Sequence, residues 1–328
     1  MFKISLKSGA AALLATAVIG FASQSLTASA NAAEISCDTA KLIVPWKAGG
    51  GTDVVFRKFA EAANKSGAKP QLQVINIPGQ GGNKGTKEAH RAKADGCTLI
   101  AIHQSAITSY FTGRIDFTWD AFEPVSLLTR TASFVGAASD TSYNNLEELI
   151  ADAKKRPEEI TAGGTFGSVS QFLFLLIEDA AGVKFRHVSY DGTKERITAL
   201  LAKNIEIGEI NLTAATKYLE AGDMKALAVM GDKEMTETPG VKTAKDQGIN
   251  VVFGVERGVM LPKGTSPDII AHYQAIFEKA AQDPSLNESL NKTGTDIVYK
   301  NAAAYTDHMQ TTYDKWLDIA KKIGAYKR

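Results

Sequence analysis

Short segments rich in glycine and hydroxyl residues recur in the sequence after apolar runs. Three of them are Gly49-Gly50-Gly51-Thr52-Asp53, Gly79-Gln80-Gly81-Gly82-Asn83 and Gly164-Thr165-Phe166-Gly167-Ser168. Glycine lets the backbone approach a ligand closely, and Ser and Thr add short hydrogen-bond donors. A single segment of this kind is usually only a tight turn. Several in succession favour a site in which backbone amides and hydroxyls bind a small anion.

Motifs for nucleotide binding or covalent catalysis are absent from these segments. Neither of the first two ends in Gly-Lys-Ser/Thr, and Val54 stands where GxGxxG needs its last glycine. The run 167–171 lacks the second glycine of a nucleophile elbow. The trio His187, Ser189 and Asp191 is of a kind that occurs by chance, and we interpret His187 as a strand residue satisfied by hydrogen bonds. These observations disfavour an enzyme.

The elements that position the segments are predicted by apolar runs alternating with helical periodicity. Strands are predicted at 41–46, 72–76, 98–102, 124–128, 132–138, 159–163, 185–188, 205–210, 225–230, 250–253 and 257–261. Helices are predicted at 53–66, 83–93, 144–155, 168–181, 192–202, 213–220, 266–281 and 302–322. This alternation predicts an α/β fold with a mainly parallel sheet. In such a sheet, the loops after the strands meet at one edge, where ligands bind.

The first 30 residues have the order of a secretory signal peptide. Lys3 and Lys7 precede an apolar stretch, and Ala28-Ser29-Ala30 offers a cleavage site. A short membrane anchor is the alternative, although the stretch is shorter than the about 20 residues that span a bilayer. We therefore expect a periplasmic protein. Without residues 1–30, the formal charge changes from +1 to −1, which disfavours binding to nucleic acid or anionic lipid.

The chain has two cysteines, Cys37 and Cys97, each just before a predicted strand. If those strands are parallel neighbours, both cysteines lie at the same end of the sheet, and an oxidising compartment permits a disulfide. Two separate thiols are the alternative. No CxxC and no histidine cluster accompanies either cysteine, so we expect no metal site.

Several segments together resemble a known receptor family. They are Val44-Pro45-Trp46-Lys47-Ala48-Gly49-Gly50-Gly51-Thr52-Asp53, Pro78-Gly79-Gln80-Gly81-Gly82-Asn83-Lys84-Gly85, Asp95-Gly96-Cys97-Thr98-Leu99, Gly182 to Gly192, Lys225-Ala226-Leu227-Ala228-Val229 and Leu261-Pro262-Lys263-Gly264-Thr265. Their order and spacing resemble the substrate-binding receptors of tripartite tricarboxylate transporters, also called the Bug family. The resemblance covers essentially the whole mature chain.

The resemblance implies a two-lobed periplasmic-binding-protein fold of type II, each lobe a mostly parallel sheet flanked by helices. It places residues 34–131 and 226–328 in lobe one and 132–225 in lobe two, with a cleft that closes around the ligand. It implies a non-enzymatic receptor without a cofactor that captures a small carboxylate, such as a di- or tricarboxylate. The implied partners are the membrane permease subunits of a tripartite transporter, and the implied state is a monomer.

The resemblance also implies which residues bind the ligand. Lobe one contributes Gly50, Gly51, Thr52, Asp53, Gly81, Gly82, Asn83, Gln104 and Ser105. Lobe two contributes Thr165, Phe166, Gly167, Ser168, Tyr190, Asp191 and Asn211.

The sequence departs from the family pattern at two of the implied positions. Many members carry a tryptophan in the late lobe-one loop, where this chain has Gly254 to Gly258. Arg257 in that loop is a candidate partner for a second ligand carboxylate, or else a solvated surface arginine. Asp191 replaces a frequent lysine and is a candidate contact for a ligand amine or hydroxyl.

Two other functions fit parts of the sequence. A secreted α/β hydrolase needs a nucleophile activated by a base, and Ser168 is the residue to test. A sensory receptor for a membrane kinase would use the same cleft and differ only at its outer surface.

Overall fold

A computed structural model describes residues 35–328, so the predicted signal peptide lies outside the described residues. Within this range the strands are β1 Thr39–Val44, β2 Gln71–Asn76, β3 Thr98–His103, β4 Phe122–Ala132, β5 Phe134–Ala138, β6 Thr161–Gly164, β7 Arg186–Ser189, β8 Ile207–Ile210, β9 Met224–Val229, β10 Gly254–Pro262 and β11 Thr295–Lys300. The helices are α1 Gly51–Lys65, α2 Asn83–His90, α3 Ser105–Phe111, α4 Leu146–Lys155, α5 Val169–Ala181, α6 Thr193–Leu201, α7 Leu212–Glu220, α8 Pro267–Ala281, α9 Pro284–Asn291 and α10 Ala302–Lys322. None of these helices combines the length and apolarity needed to cross a membrane.

The strands form two sheets, which are the centres of two lobes. The larger sheet has the order β11-β4-β10-β3-β1-β2, and the smaller sheet has the order β7-β6-β8-β5-β9. The predicted two-lobed α/β arrangement is therefore present. Each sheet is mixed rather than mostly parallel: β1 runs parallel to β2 and β3, and β6 runs parallel to β7 and β8, whereas the other pairs are antiparallel.

The chain crosses between the sheets twice. The first crossing is at Ser133, between β4 and β5, close to the predicted position. The second was predicted at residue 226, which lies inside β9, and β9 pairs with β5 in the smaller sheet. Val229 also exchanges backbone hydrogen bonds with Lys242 and Ala244, so the chain returns to the larger sheet only at β10. The predicted boundary is therefore too early.

Three elements were missed and one predicted strand is absent. Helix α3 has seven residues, too few to show a helical period, and α9 is an eight-residue helix. Strand β11 was not predicted. Residues 250–253 form no strand, although the N–H of Phe253 donates to the carbonyl of Met230.

Apolar helix faces pack on both sheets. Helix α1 buries Val55, Phe56, Phe59 and Ala63, which recur at helical spacing and pack into one core with the larger sheet. Burial of each phenylalanine stabilises the fold by about 1.5–3 kcal/mol. The aromatic stripe predicted for the last helix is a packing face, since Trp316 of α10 stacks on Phe172 of α5, with ring centroids 5.6 Å apart.

Cys37 and Cys97 form a disulfide. They precede β1 and β3, which are parallel neighbours, and Lys41 donates its backbone N–H to the carbonyl of Cys97 at 2.9 Å. The alternative of two separate thiols is therefore wrong. The disulfide lies at the amino ends of these strands, the edge opposite to the loops rich in glycine.

Candidate functional site

A cavity lies between the two sheets, where the carboxyl ends of their parallel strands face each other. Its empty volume is about 410 Å³, its open mouth included. The larger sheet contributes residues after β1, the last residue of β3 and residues from β10. The smaller sheet contributes residues after β6 and β7 and residues from β8 and just after it. The lining residues are Trp46, Gly50, Gly51, Thr52, His103, Thr165, Ser168, Val169, Ser170, Gly192, Thr193, Arg196, Glu209, Asn211, Val255 and Arg257.

Helix N-termini at this edge are left without side-chain caps. The N-cap residues of α1, α5, α6 and α7 all line the cavity, and no side chain caps these helices; they are Gly50, Ser168, Gly192 and Asn211. Helices α2 and α3, which also follow parallel strands, lack such caps too.

The other four helices are capped by their own N-cap side chains. These residues are Asn145 for α4, Ser266 for α8, Asp283 for α9 and Asn301 for α10. Helices α4, α8 and α10 follow the antiparallel strands β5, β10 and β11, so they begin at the opposite edges of the sheets. The first N–H groups of a helix and the positive end of its dipole attract anions, and the four helices that begin at the cavity leave these groups without an N-cap side chain.

Arg257 brings a positive charge into the cavity. Its side chain extends from β10 and is only 2% exposed, so the alternative of a solvated surface arginine is wrong. Its Nε donates to Thr52 Oγ1 at 3.0 Å and its Nη1 to Thr131 Oγ1 at 2.6 Å, and it forms no ion pair with the residues described here. Burial lowers the pKa of Arg257 to about 10, which leaves it charged at neutral pH.

Arg196 is the second buried cation, and it is already neutralised. Its Nη2 pairs with the carboxylate of Glu209, and its Nη1 donates to Thr165 Oγ1 at 2.9 Å. Burial lowers the pKa of Arg196, and the charge of Glu209 opposes this effect. The other oxygen of Glu209 accepts from Ser133 Oγ at 3.0 Å.

His103 lines the cavity as a neutral imidazole. Its ring stacks on Trp46 with centroids 4.2 Å apart, and its Nδ1 accepts the backbone N–H of Ser105 at 3.2 Å. Burial, and then the charges of Arg257 and Arg196, place the pKa of His103 well below its usual value. Because Nδ1 is the acceptor, Nε2 carries the proton and is a donor. The charged residues on the described lining are thus two arginines and one glutamate, which leaves one uncompensated positive charge.

The structure brings seven of the predicted ligand residues to the cavity wall: Gly50, Gly51, Thr52, Thr165, Ser168, Asn211 and Arg257. Gly51 makes the closest approach. A Cβ on Gly51 would stand 2.7 Å from Asn211 Oδ1 and 3.1 Å from Arg257 Nη2, whereas a Cβ on Gly50 would meet only a carbonyl oxygen at 3.4 Å.

Ten predicted residues lie outside the cavity lining: Asp53, Gly81, Gly82, Asn83, Gln104, Ser105, Phe166, Gly167, Tyr190 and Asp191. Asp53 shapes the first loop, since its carboxylate accepts from the Gly49 N–H at 2.8 Å and from Arg57 Nε and Asn76 Nδ2. Gln104 binds the backbone of β10, where its Nε2 donates to the carbonyl of Gly254.

Some of these residues connect the two lobes. The N–H of Gly81 donates to Asp191 Oδ1 at 3.0 Å, and the hydroxyls of Ser105 and Ser168 are hydrogen-bonded. The carbonyl of Gly167 accepts from the hydroxyls of Thr108 and Ser109 at 2.9 and 3.0 Å. These hydrogen bonds join the two lobes directly.

The sequence reasoning missed the lining residues Trp46, His103, Val169, Ser170, Gly192, Thr193, Arg196, Glu209 and Val255. Glu209 had a signal, because strand alternation places it on the same face as Ile205 and Ile207, which predicts a buried acid in need of a cation. His187 donates or accepts at Glu178 Oε1, 2.9 Å away, rather than at Asp191. No cluster of three or more metal-ligating side chains occurs between residues 35 and 328.

Comparison with known proteins identifies the family. The profile of the "Tripartite tricarboxylate transporter family receptor" matches residues 55–325. This chain belongs to that family. The "UPF0065 protein in gbd 5'region" of Cupriavidus necator is 31% identical to this receptor over 319 residues, covering 95% of each chain. "Protein BugT" of Bordetella pertussis is 27% identical, covering 90% of this chain and 93% of BugT.

The fold of this family receptor matches that of a solved relative. The periplasmic binding protein BugD superposes with a TM-score of 0.82 at 26% identity, covering 88% of this chain and 99% of BugD. The family consists of solute-binding receptors, so the predictions of a non-enzymatic receptor and of a periplasmic-binding-protein fold are confirmed.

Proposed function

We propose that this receptor captures a small carboxylate in its cleft and delivers it to the membrane subunits of a tripartite transporter. The observation that supports this most is the distribution of helix caps. In every described helix that follows a parallel strand, the side chain of the N-cap residue makes no cap hydrogen bond, and four of these N-cap residues line one cavity. Backbone N–H groups left free at one buried point favour a ligand that accepts several hydrogen bonds and carries negative charge.

The charges of the cavity support the same ligand class. Arg196 and Glu209 form an ion pair, whereas Arg257 forms none with the described residues. A ligand carboxylate beside Arg257 removes the cost of an unpaired buried cation. A planar carboxylate also matches the hydrogen-bonding geometry of a guanidinium. Two nitrogens of the Arg257 guanidinium already donate to Thr52 and Thr131.

A thermal-shift screen of the mature protein tests the carboxylate proposal. Bound ligand is first removed by unfolding and refolding without reductant. A carboxylate at about 100 times its dissociation constant adds about 2.7 kcal/mol and raises the melting temperature by a few degrees. The primary amide of the same acid is the matched control and gives no shift. Equal shifts from acid and amide would contradict an anion site.

The site of action is proposed to be the periplasm, with residues 1–30 as a signal peptide. A mass measurement of the protein from a periplasmic fraction tests this, and a mass that includes residues 1–30 contradicts it. The transporter role is tested in vesicles that contain the membrane subunits. Uptake of the bound carboxylate that requires this receptor supports the proposal, and uptake that is equal without it contradicts it.

A further inference from the structure

Asn211 occupies a capping position but does not cap its helix. It is the N-cap residue of α7, and its side chain makes no cap hydrogen bond. Two other asparagines of the chain show the usual behaviour, since Asn145 accepts from the Glu148 N–H and Asn301 from the Ala304 N–H. The side chain of Asn211 is therefore directed elsewhere at the expense of its own helix.

Asn211 lines the ligand cavity, and its amide packs against Gly51. The residue is 2% exposed, and its Oδ1 has no hydrogen-bond partner among residues 35–328. Oδ1 lies 2.7 Å, and Arg257 Nη2 lies 3.1 Å, from the point where a Cβ on Gly51 would stand. A buried amide oxygen without a donor is costly, so a donor group brought by a bound ligand stabilises this position.

The surroundings decide which kind of donor fits. A ligand ammonium group beside Asn211 would face the charge of Arg257. It would also find no free acid on the described cavity wall, because both oxygens of Glu209 already accept from Arg196 and Ser133. A hydroxyl is neutral, donates one hydrogen bond and meets neither difficulty.

We propose that the cleft selects carboxylates with a hydroxyl on the carbon next to the carboxylate. Asn211 Oδ1 accepts the hydroxyl proton while Arg257 and the N-terminus of α1 bind the neighbouring carboxylate. Oδ1 and Nη2 both lie beside Gly51, 2.7 Å and 3.1 Å from the position of a Cβ on that residue, which favours a ligand whose hydroxyl and carboxylate are adjacent. This inference rests on the proposed carboxylate site and names Asn211 as its specificity-determining residue.

Sets of acids that differ only in this group test the inference. The sets are propionate, lactate and alanine; succinate, malate and aspartate; phenylacetate, mandelate and phenylglycine; and tricarballylate with citrate. Chiral acids are supplied as both enantiomers. Calorimetric titration of the refolded mature protein is expected to show the hydroxy acid of the best-binding set at least about tenfold tighter than its plain and amino counterparts, because those leave Oδ1 without a suitable donor.

Asn211→Leu keeps the size of the side chain and removes the acceptor. The hydroxy and plain acids are then expected to bind within about threefold of each other. Asn301→Ala is the matched control: it removes an asparagine that does cap its helix, lowers the melting temperature, and keeps the preference for the hydroxy acid.

The outcomes separate this inference from the proposed function. A plain acid that binds the unmodified receptor as tightly as its hydroxy counterpart overturns the hydroxyl selection and leaves the carboxylate receptor standing. An amino acid that binds most tightly also overturns it. A preference retained in Asn211→Leu overturns the role of Asn211. If no acid of any set binds, both the inference and the carboxylate proposal fail.

Discussion

Arg257 combines deep burial with a charge that no described acid neutralises. Arg257→Met is expected to weaken carboxylate binding by at least about 100-fold, since a charged hydrogen-bond donor is lost from a buried site. The free energy of unfolding of the ligand-free protein should stay equal or rise, because a cation without a partner is replaced by an apolar chain of similar length. Calorimetry and denaturant unfolding measure the two effects. The exposed control Arg91→Met should change neither, and unaltered affinity in Arg257→Met would count against the anion site.

His103 predicts a pH dependence of stability. Burial, with the neighbouring arginine charges, places the pKa of His103 well below its usual value in the folded protein. As the pH falls below about 6.5, only the unfolded chain gains a proton here, so the free energy of unfolding decreases by at most about 1.4 kcal/mol per pH unit. Above that pH, His103 adds no pH dependence to the free energy of unfolding.

Denaturant unfolding of the ligand-free protein between pH 7 and pH 5 measures this effect. His103→Gln is expected to flatten the decrease. The control His272→Gln replaces an exposed histidine and leaves His103 in place. Its free energy of unfolding should therefore still decrease more steeply with falling pH than that of His103→Gln. Identical slopes in the receptor and in His103→Gln would refute the assignment.

Among single residues of the cavity, the sequence predicts the hydroxyl residues and glycines better than the buried charged residues. Thr52, Ser168 and Asn211 stand in loops after predicted strands, where a sheet edge must present them. Arg196 lies within a helix, and only the folded chain shows that its side chain meets Glu209 beneath the cavity. Burial of a charged side chain depends on a partner distant in sequence, which no local pattern contains.

Loops and helix starts determine the site at the level of elements. The alternation of strands and helices predicted most elements and the edge at which their loops meet. It did not predict that the sheets are mixed, because the antiparallel strands β5 and β10 have the same apolar composition as the parallel ones. It also gave no indication that caps are present at one edge and absent at the other.

Gly51 is the first residue of α1, and alanine is expected to weaken ligand binding much more at Gly51 than at the neighbouring Gly50. In Gly51→Ala the new Cβ would stand within 3.1 Å of Asn211 and Arg257, so those side chains must move from their positions. Binding is expected to fall by at least about 100-fold, as misplacement of about 1 Å costs a site this much. Gly50→Ala is the control and should stay within about threefold, since its nearest atom is 3.4 Å away. Equal affinities of the two variants, measured by calorimetry, would contradict the close packing at Gly51.

Direct contacts join the two lobes of the whole molecule. They include the hydrogen bond from Gly81 to Asp191, those from Thr108 and Ser109 to Gly167, and the stacking of Trp316 of α10 on Phe172 of α5. The resemblance in sequence predicted two lobes and a cleft. The loop contacts between the lobes were instead expected to be ligand contacts, because a loop at the cleft edge can face either the ligand or the other lobe. Their roles in ligand binding remain predictions.

The disulfide allows stability and binding to be separated in this molecule. Cys37 and Cys97 are 60 residues apart in the sequence, and closing a loop of that length in the unfolded chain is worth about 4 kcal/mol. The double variant Cys37→Ser, Cys97→Ser is therefore expected to lose about that much free energy of unfolding in denaturant. Its carboxylate affinity should stay within about twofold, because the disulfide lies at the amino ends of β1 and β3 and the cavity lies at their carboxyl ends. A large loss of carboxylate affinity in the folded double variant would mean that the two edges of the larger sheet are coupled. The cleft would then not be positioned by the strands alone.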